Sequence, residues 1–165
     1  MNYILNNEKI IFKNNFLFIK NVFFCKIKIP LDIKLIIIKN KISFYSYSFN
    51  KKNEISFLKL IINLIKGIEK KWIKEVFFLG IGFKIFKKNN KIFFDLGFSF
   101  TKCLKIPKYL DIEIFKNKII LNSVYKDKMG IFIKKILNIK KFNPYKKKGI
   151  FLNNPILKKS SKKKQ

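Results

Sequence analysis

Cys25-Lys26-Ile27-Lys28-Ile29-Pro30-Leu31-Asp32-Ile33 returns later in the chain as Cys103-Leu104-Lys105-Ile106-Pro107-Lys108-Tyr109-Leu110-Asp111-Ile112. Each copy is followed by a hairpin turn in the same words, Lys39-Asn40-Lys41-Ile42 and Lys116-Asn117-Lys118-Ile119. Each is preceded by an Asn-Asn turn, Asn6-Asn7 before Glu8 to Phe12 and Asn89-Asn90 before Lys91 to Phe94. Each half then closes on a helical pattern. Four elements kept in order point to an internal duplication rather than to coincidence in a chain poor in residue types.

Outward from that repeat, the local chemistry is that of short antiparallel hairpins. Asn tolerates the left-handed backbone that a two-residue hairpin loop demands better than most residues with a Cβ. The flanking segments are rich in Ile, Phe and Val at strand length, with partial alternation in Ile112 to Phe115 and in Tyr45, Tyr47 and Phe49. Val76 to Phe86 and Ile92 to Ser99 are expected to form one long antiparallel pair. A first helix is expected over about Glu54 to Glu69, because Phe57, Leu58, Ile61, Leu64, Ile65 and Ile68 recur at helical spacing, with Asn53 as its N-cap. A second is expected over about Asp127 to Asn138, with Met129, Phe132, Ile133, Ile136 and Leu137 on one side. Its Asp127 lies near the positive end, and Lys134 and Lys135 lie near the negative end. The join falls near Lys70 to Glu75, where Trp72 is expected to be a packing residue.

The fold class is therefore α+β: two duplicated small domains, each an antiparallel sheet packed with one helix, plus a basic C-terminal tail. The expected boundaries are 1–75, 76–141 and 142–165.

Charge then narrows the function. The chain of 165 residues carries 38 basic residues, every one of them Lys, against nine acids, for a net charge of +29. All nine acids lie at or before Asp127, whereas Lys128 to Gln165 holds 13 lysines. Such a surplus opposes folding by self-repulsion unless an anion sits against it, and a body ending in a polycationic arm suits a polyanion. With 48% hydrophobic residues there is ample material for a core, so general disorder is excluded outside the tail. The absence of Arg removes the preferred fork for guanine and leaves Lys point charges, which favours backbone and shape recognition over base reading. The absence of Arg and Ala, with Ile, Lys, Asn and Phe abundant, fits an A+T-rich genome.

Other classes fare poorly. No uncharged run approaches membrane-spanning length, and the N-terminus lacks the pattern of a signal peptide, which leads us to expect synthesis in place. Cys25 and Cys103 stand alone, without metal-site spacing, and are expected to be two buried free thiols. With no His the usual neutral-pH base is missing, and Ser46 and Ser48 have no partner base, so no enzyme, cofactor, metal or small-molecule substrate is expected. Gly80-x-Gly82 sits in a strand pattern and reads as a bulge or close approach, not a phosphate loop.

The second half also carries an ordered set of motifs. Val76-Phe77-Phe78-Leu79-Gly80-Ile81-Gly82-Phe83-Lys84 is followed by Leu96-Gly97-Phe98-Ser99, then Ile106-Pro107. Lys126 and Gly130 come next, and Pro144-Tyr145-Lys146-Lys147-Lys148-Gly149-Ile150 and a lysine tail close it. In that order it resembles the bacterial-type large-subunit ribosomal protein six family, clearly from about Leu64 onward and only topologically over the first 55 or so residues. Departures are Phe142 and Lys147 where the family usually has Pro or Ser and a small residue, and Phe100-Thr101 where it has His-Pro. The resemblance implies a two-domain structural protein that binds large-subunit rRNA, near the sarcin-ricin and translation-factor region, beside neighbouring large-subunit proteins. The host would be the ribosome of a reduced A+T-rich bacterium, a plastid or a mitochondrion, with no membrane involved.

The expected RNA contacts are Tyr145, Lys146, Lys147, Lys148 and Gly149 in the loop. Lys158, Lys159, Lys162, Lys163 and Lys164 in the tail, and Lys84, Lys87, Lys88 and Lys91 flanking one hairpin, complete the set. Consecutive lysines held by Pro144 and released by Gly149 can each meet a phosphate, and Tyr145 can stack on a base or ribose. The rival reading, a peripheral membrane or anionic-surface protein, needs a basic amphipathic helix, and both expected helices look core-facing. A free-standing RNA chaperone is the third.

Overall fold

The computed structural model describes residues 2–4, 9–13, 16–20, 24–30, 33–38, 41–46 and 51–152. The chain divides into two compact units, Met1–Lys71 with Val124–Lys126, and Trp72–Ser123 with Asp127–Gln165.

In the first unit the strands are β1 (Asn2–Ile4), β2 (Lys9–Lys13), β3 (Phe16–Lys20), β4 (Phe24–Lys28), β5 (Ile33–Ile38) and β6 (Lys41–Ser46), followed by α1 (Lys51–Glu69). They make two antiparallel sheets, β2-β3-β4 and β1-β6-β5. The buried face of α1, Phe57, Ile61, Leu64, Ile65 and Ile68, packs with Leu17 and Ile19 of β3 and with Cys25, Ile29, Ile33 and Val124. Beside Val124, the Tyr125 hydroxyl accepts a hydrogen bond from the Lys26 backbone N–H at 3.1 Å. Burial pushes its pKa above the ordinary 10.0, partly offset by that bond.

The second unit repeats the plan. Its elements are β7 (Trp72–Leu79), β8 (Lys84–Lys88), β9 (Lys91–Asp95), β10 (Lys102–Lys105), β11 (Asp111–Ile114), β12 (Lys118–Ser123), α2 (Lys126–Leu137) and β13 (Gly149–Phe151). The sheet β10-β9-β8 answers to β2-β3-β4, and β11-β12-β7 answers to β5-β6-β1, with β13 added on the far side of β7. Met129, Phe132, Ile133 and Ile136 of α2 close a core built from Val76, Phe78, Ile92, Phe94, Ile119 and Leu121, with Trp72 packed against it. The one buried polar residue among those described, Ser123, donates to the Tyr109 carbonyl at 2.8 Å.

The repeated words of the sequence do repeated jobs. After β4 and after β10 the same backbone bond recurs, Ile33 N–H donating to the Pro30 carbonyl at 3.2 Å and Leu110 N–H to the Pro107 carbonyl at 3.1 Å. Asn89 and Asn90 take φ of 46° and 58°, the left-handed pair that a tight hairpin between right-twisted strands requires.

Several expectations change. The Asn-Asn turn of the second unit lies between β8 and β9, so its counterpart by strand order is Asn14-Asn15, between β2 and β3. The pair Asn6-Asn7 precedes β2 instead; all four of those first-unit residues lie outside the described residues, as do Tyr47 to Asn50. Val76 to Phe86 is not one strand. The chain breaks at Gly80-Ile81-Gly82, where Gly82 takes φ of +77° and the Phe83 ring folds back so tightly that a Cβ on Gly80 would lie 2.4 Å from it. β7 and β8 therefore enter different sheets, and Gly80-x-Gly82 is a turn rather than a bulge in a strand. Helix α1 starts at Lys51, which places Asn53 inside the helix rather than at its cap. Cys25 is buried, but Cys103 is exposed, because it alternates outward on the edge strand β10.

Gly130 sits inside α2 on the exposed face, and a Cβ there would meet nothing within 4 Å. Gly130→Ala is expected to raise the stability of the free chain by about 0.5–1 kcal/mol, through helix propensity alone. Chemical denaturation checks this, with a higher midpoint and an unchanged m-value as the expected result.

Candidate nucleic-acid interface

The basic loop is built from its two ends inward. On the C-terminal side, β13 pairs antiparallel with β7, Gly149 opposite Leu79, Ile150 opposite Phe78 and Phe151 opposite Phe77. Ile150 is buried in the core of the second unit, and Phe151 stacks on Phe77 at 5.7 Å while Phe142 meets its edge at 5.2 Å. On the N-terminal side, the Lys140 carbonyl accepts the Ile150 N–H at 3.1 Å, and the Asn143 N–H donates to the Lys148 carbonyl at 2.8 Å. The loop is thus cinched at its base by backbone bonds and by an apolar anchor.

Inside the cinch, one side chain shapes the loop. The Asn143 Oδ1 accepts the backbone N–H groups of Tyr145 at 3.0 Å and Lys146 at 3.1 Å, an Asx turn that satisfies two donors at once. Lys147 is held at φ of 52°, a left-handed conformation uncommon for a side chain of that size. Backbone strain of this kind persists where the surroundings over-determine it, and it concentrates at ligand-binding loops. Gly149 follows at φ of +134° with its Cα against the Phe142 backbone, so that a Cβ would lie 2.5 Å from the Phe142 Cα. Only glycine passes there.

The result is a stiff display of charge. Tyr145 is 59% exposed, with its phenol off its own core, and Lys146, Lys147 and Lys148 are exposed beside it. Lys84, Lys87, Lys88 and Lys91 are also exposed but belong to the β8–β9 hairpin, in the other sheet of the unit. The alternation of β8 sends Lys84 and Lys88 to one face and Lys87 to the other, so these four do not act as one cluster. Lys158, Lys159, Lys162, Lys163 and Lys164 lie outside the described residues.

Two residues here escape a reading of the sequence. Asn143 before Pro144 carries a turn signal, the Asn-Pro pair, which is enough to suspect its role. Lys140 carries none: its Nζ donates to the Leu96 carbonyl and lies 4.7 Å from the ring centroids of both Phe83 and Phe98, tying the Leu96–Phe98 turn to the segment that enters the loop. Among the described residues, no helix is long and apolar enough to cross a membrane.

Comparison with known proteins gives the arrangement a context. No family model matches the chain. It is 35% identical over 144 residues to the large ribosomal subunit protein uL6 of Karelsulcia muelleri (strain GWSS), an alignment covering 82% of this chain and 79% of that one. It is 36% identical over 104 residues to the protein of the same name from Phytoplasma mali (strain AT), covering 62% of this chain and 58% of that one. With the uL6 protein of Borrelia recurrentis (strain A1) it shares 31% over 115 residues, covering 67% and 64%. The chain therefore spans most of the first relative and under two thirds of the length of the other two.

Gly149→Ala is expected to destabilise the protein by about 2 kcal/mol or more, through a forbidden backbone angle and a backbone collision. Limited proteolysis reads the local effect: β13 should release and cleavage should rise within Asn143 to Lys148, whereas Gly130→Ala leaves that segment protected.

Proposed function

The chain belongs to the uL6 family of large-ribosomal-subunit proteins, and from that premise we propose that it is a structural constituent of the large subunit that grips ribosomal RNA with its second unit and lysine-rich end. The observation that carries this reading is the loop Asn143 to Lys148: three consecutive exposed lysines and an exposed tyrosine on a backbone shaped by the Asn143 side chain.

The mechanism follows from charge and rigidity. Each lysine ammonium that meets a phosphate releases condensed counterions, so affinity arises largely from solvent entropy and falls steeply with salt. The Asx turn and the cinched base mean that little loop entropy remains to be lost on docking, which lowers the cost of binding. Tyr145 adds a flat face for a base or ribose. Lysine, unlike arginine, offers no planar fork, so these contacts fix position and register along the RNA backbone rather than reading sequence.

The role is structural rather than catalytic. On this reading the loop, the tail lysines Lys158, Lys159 and Lys162 to Lys164, and the hairpin lysines brace RNA helices during assembly beside neighbouring large-subunit proteins. The site in the subunit is the sarcin-ricin and translation-factor region. The functional division on this reading remains 1–75, 76–141 and 142–165, although β7 spans the first boundary and β13 joins part of the last segment, otherwise a basic arm for RNA, to the second unit's sheet.

Replacing Lys146, Lys147 and Lys148 together by Ala is expected to weaken binding to large-subunit rRNA while leaving the fold intact. The slope of log affinity against log salt should shrink by about 2 to 3, roughly one for each phosphate no longer neutralised. Filter binding over a salt series, with circular dichroism as the fold control, decides it. Unchanged affinity and slope would remove the loop from the interface.

A further inference from the structure

The sheet β10-β9-β8 turns one face to the core and leaves the other uncovered by its own unit, and the register sorts that outer face into rows. Lys88 lies opposite Lys91, which lies opposite Lys105; Phe86 lies opposite Phe93, which lies opposite Cys103. The inner face carries Ile92 and Phe94, both fully buried. The two phenyl rings of the outer face stack on each other at 5.2 Å and 9°, and Phe86 remains 47% exposed.

Neither row suits water. Like charges placed directly opposite across neighbouring strands are destabilising, and here three lysines stand in register across three strands. A pair of stacked phenyl rings beside them is an apolar platform with no cover of its own. A single ligand class removes both difficulties: an anion with a flat aromatic face. Unpaired nucleotides have both, a phosphate for the lysine row and a base for the phenyl row, and aromatic residues on an open antiparallel sheet are a recurring platform for them.

We propose that the outer face of the β8–β9–β10 sheet is a second RNA-binding surface, on which unpaired nucleotides of ribosomal RNA stack on Phe86 and Phe93 with their phosphates on Lys88, Lys91 and Lys105. It deepens, and rests on, the reading of the protein as an rRNA binder. It also separates two kinds of contact: the Asn143–Lys148 loop meets phosphates by charge, and the sheet face takes bases out of a loop, bulge or end of the RNA. Lys84 stands on this face too, opposite Asp95, whereas Lys87 lies on the other face of the sheet.

The chain carries its own reporter. Cys103 is exposed on this face opposite Phe93, and Cys25 is buried, so alkylation by N-ethylmaleimide reads the sheet face selectively. The experiment follows Cys103 alkylation in the full chain, free, with a short single-stranded oligouridylate, with an RNA duplex of equal length, and with large-subunit rRNA. The single strand and the rRNA should slow alkylation in step with binding, and the duplex should not. Phe86→Ala should weaken oligouridylate binding about tenfold, the scale of losing one stacked base, and should restore Cys103 reactivity, while Phe86→Tyr keeps both. Binding with Cys103 left fully reactive would overturn the sheet-face proposal and leave the loop reading standing. Protection by the duplex as strong as by the single strand would reduce the face to a charge contact and overturn the stacking. Cys103 protected in whole large subunits but not by rRNA would assign the face to a protein partner instead. Failure of the chain to bind either RNA would sink the rRNA reading itself, and this proposal with it.

Discussion

Self-repulsion governs this molecule more than any single contact. A net charge of +29 on 165 residues must be kept out of the cores and held apart on the surface, or the compact state fails. The structure meets the first demand fully among the described residues: no lysine is buried, and the two cores are apolar apart from Ser123. It meets the second only partly. Lys146, Lys147 and Lys148 are consecutive on one strained loop, and Lys88, Lys91 and Lys105 stand in one row. Charge concentrated in this way is a cost for the free chain and a gain for a complex with a polyanion.

The duplicated topology explains how so simple a sequence holds such features in place. Each unit is a three-stranded sheet, a second sheet and one helix, with the same strand order in both. The asymmetry lies in what borders the basic loop. Among the described residues only the second unit has an added strand, β13, and that strand anchors the end of the basic loop through Ile150 and Phe151. Only there does Gly149 pass against the Phe142 backbone. The scaffold is shared, and the candidate site is an addition to its edge.

Much of this is legible in the residues. The helices announce themselves through Phe57, Ile61, Leu64 and Ile65, and through Met129, Phe132, Ile133 and Ile136, because helical spacing of apolar residues survives any tertiary context. The Asn89-Asn90 hairpin and the paired Ile-Pro turns follow from turn chemistry. What the letters miss has physical causes. Val76 to Phe86 is uncharged and without polar side chains up to Phe83, and periodicity cannot see the turn at Gly82, where the Phe83 ring lies over Gly80. The Asn-Asn repeat aligns one strand too early, because strand order is not visible in the letters. Cys103 looks like a core residue by type, although alternation on an edge strand turns it outward. In the site, the lysines and Tyr145 are plain to see. The Asx turn of Asn143 is only half signalled, and the Lys140 contacts and the grid of the sheet face need the register.

The most direct test of the account is whether the chain resides in large ribosomal subunits as a stoichiometric component. Extract resolved on a density gradient, first at low salt and then after a high-salt wash, answers it by quantitative mass spectrometry of the subunit fractions. The account predicts about one copy per large subunit, retained through the wash, because many lysine contacts and a pre-shaped loop act together. A chain that stays at the top of the gradient, or leaves the subunit completely at the first rise in salt, would contradict it.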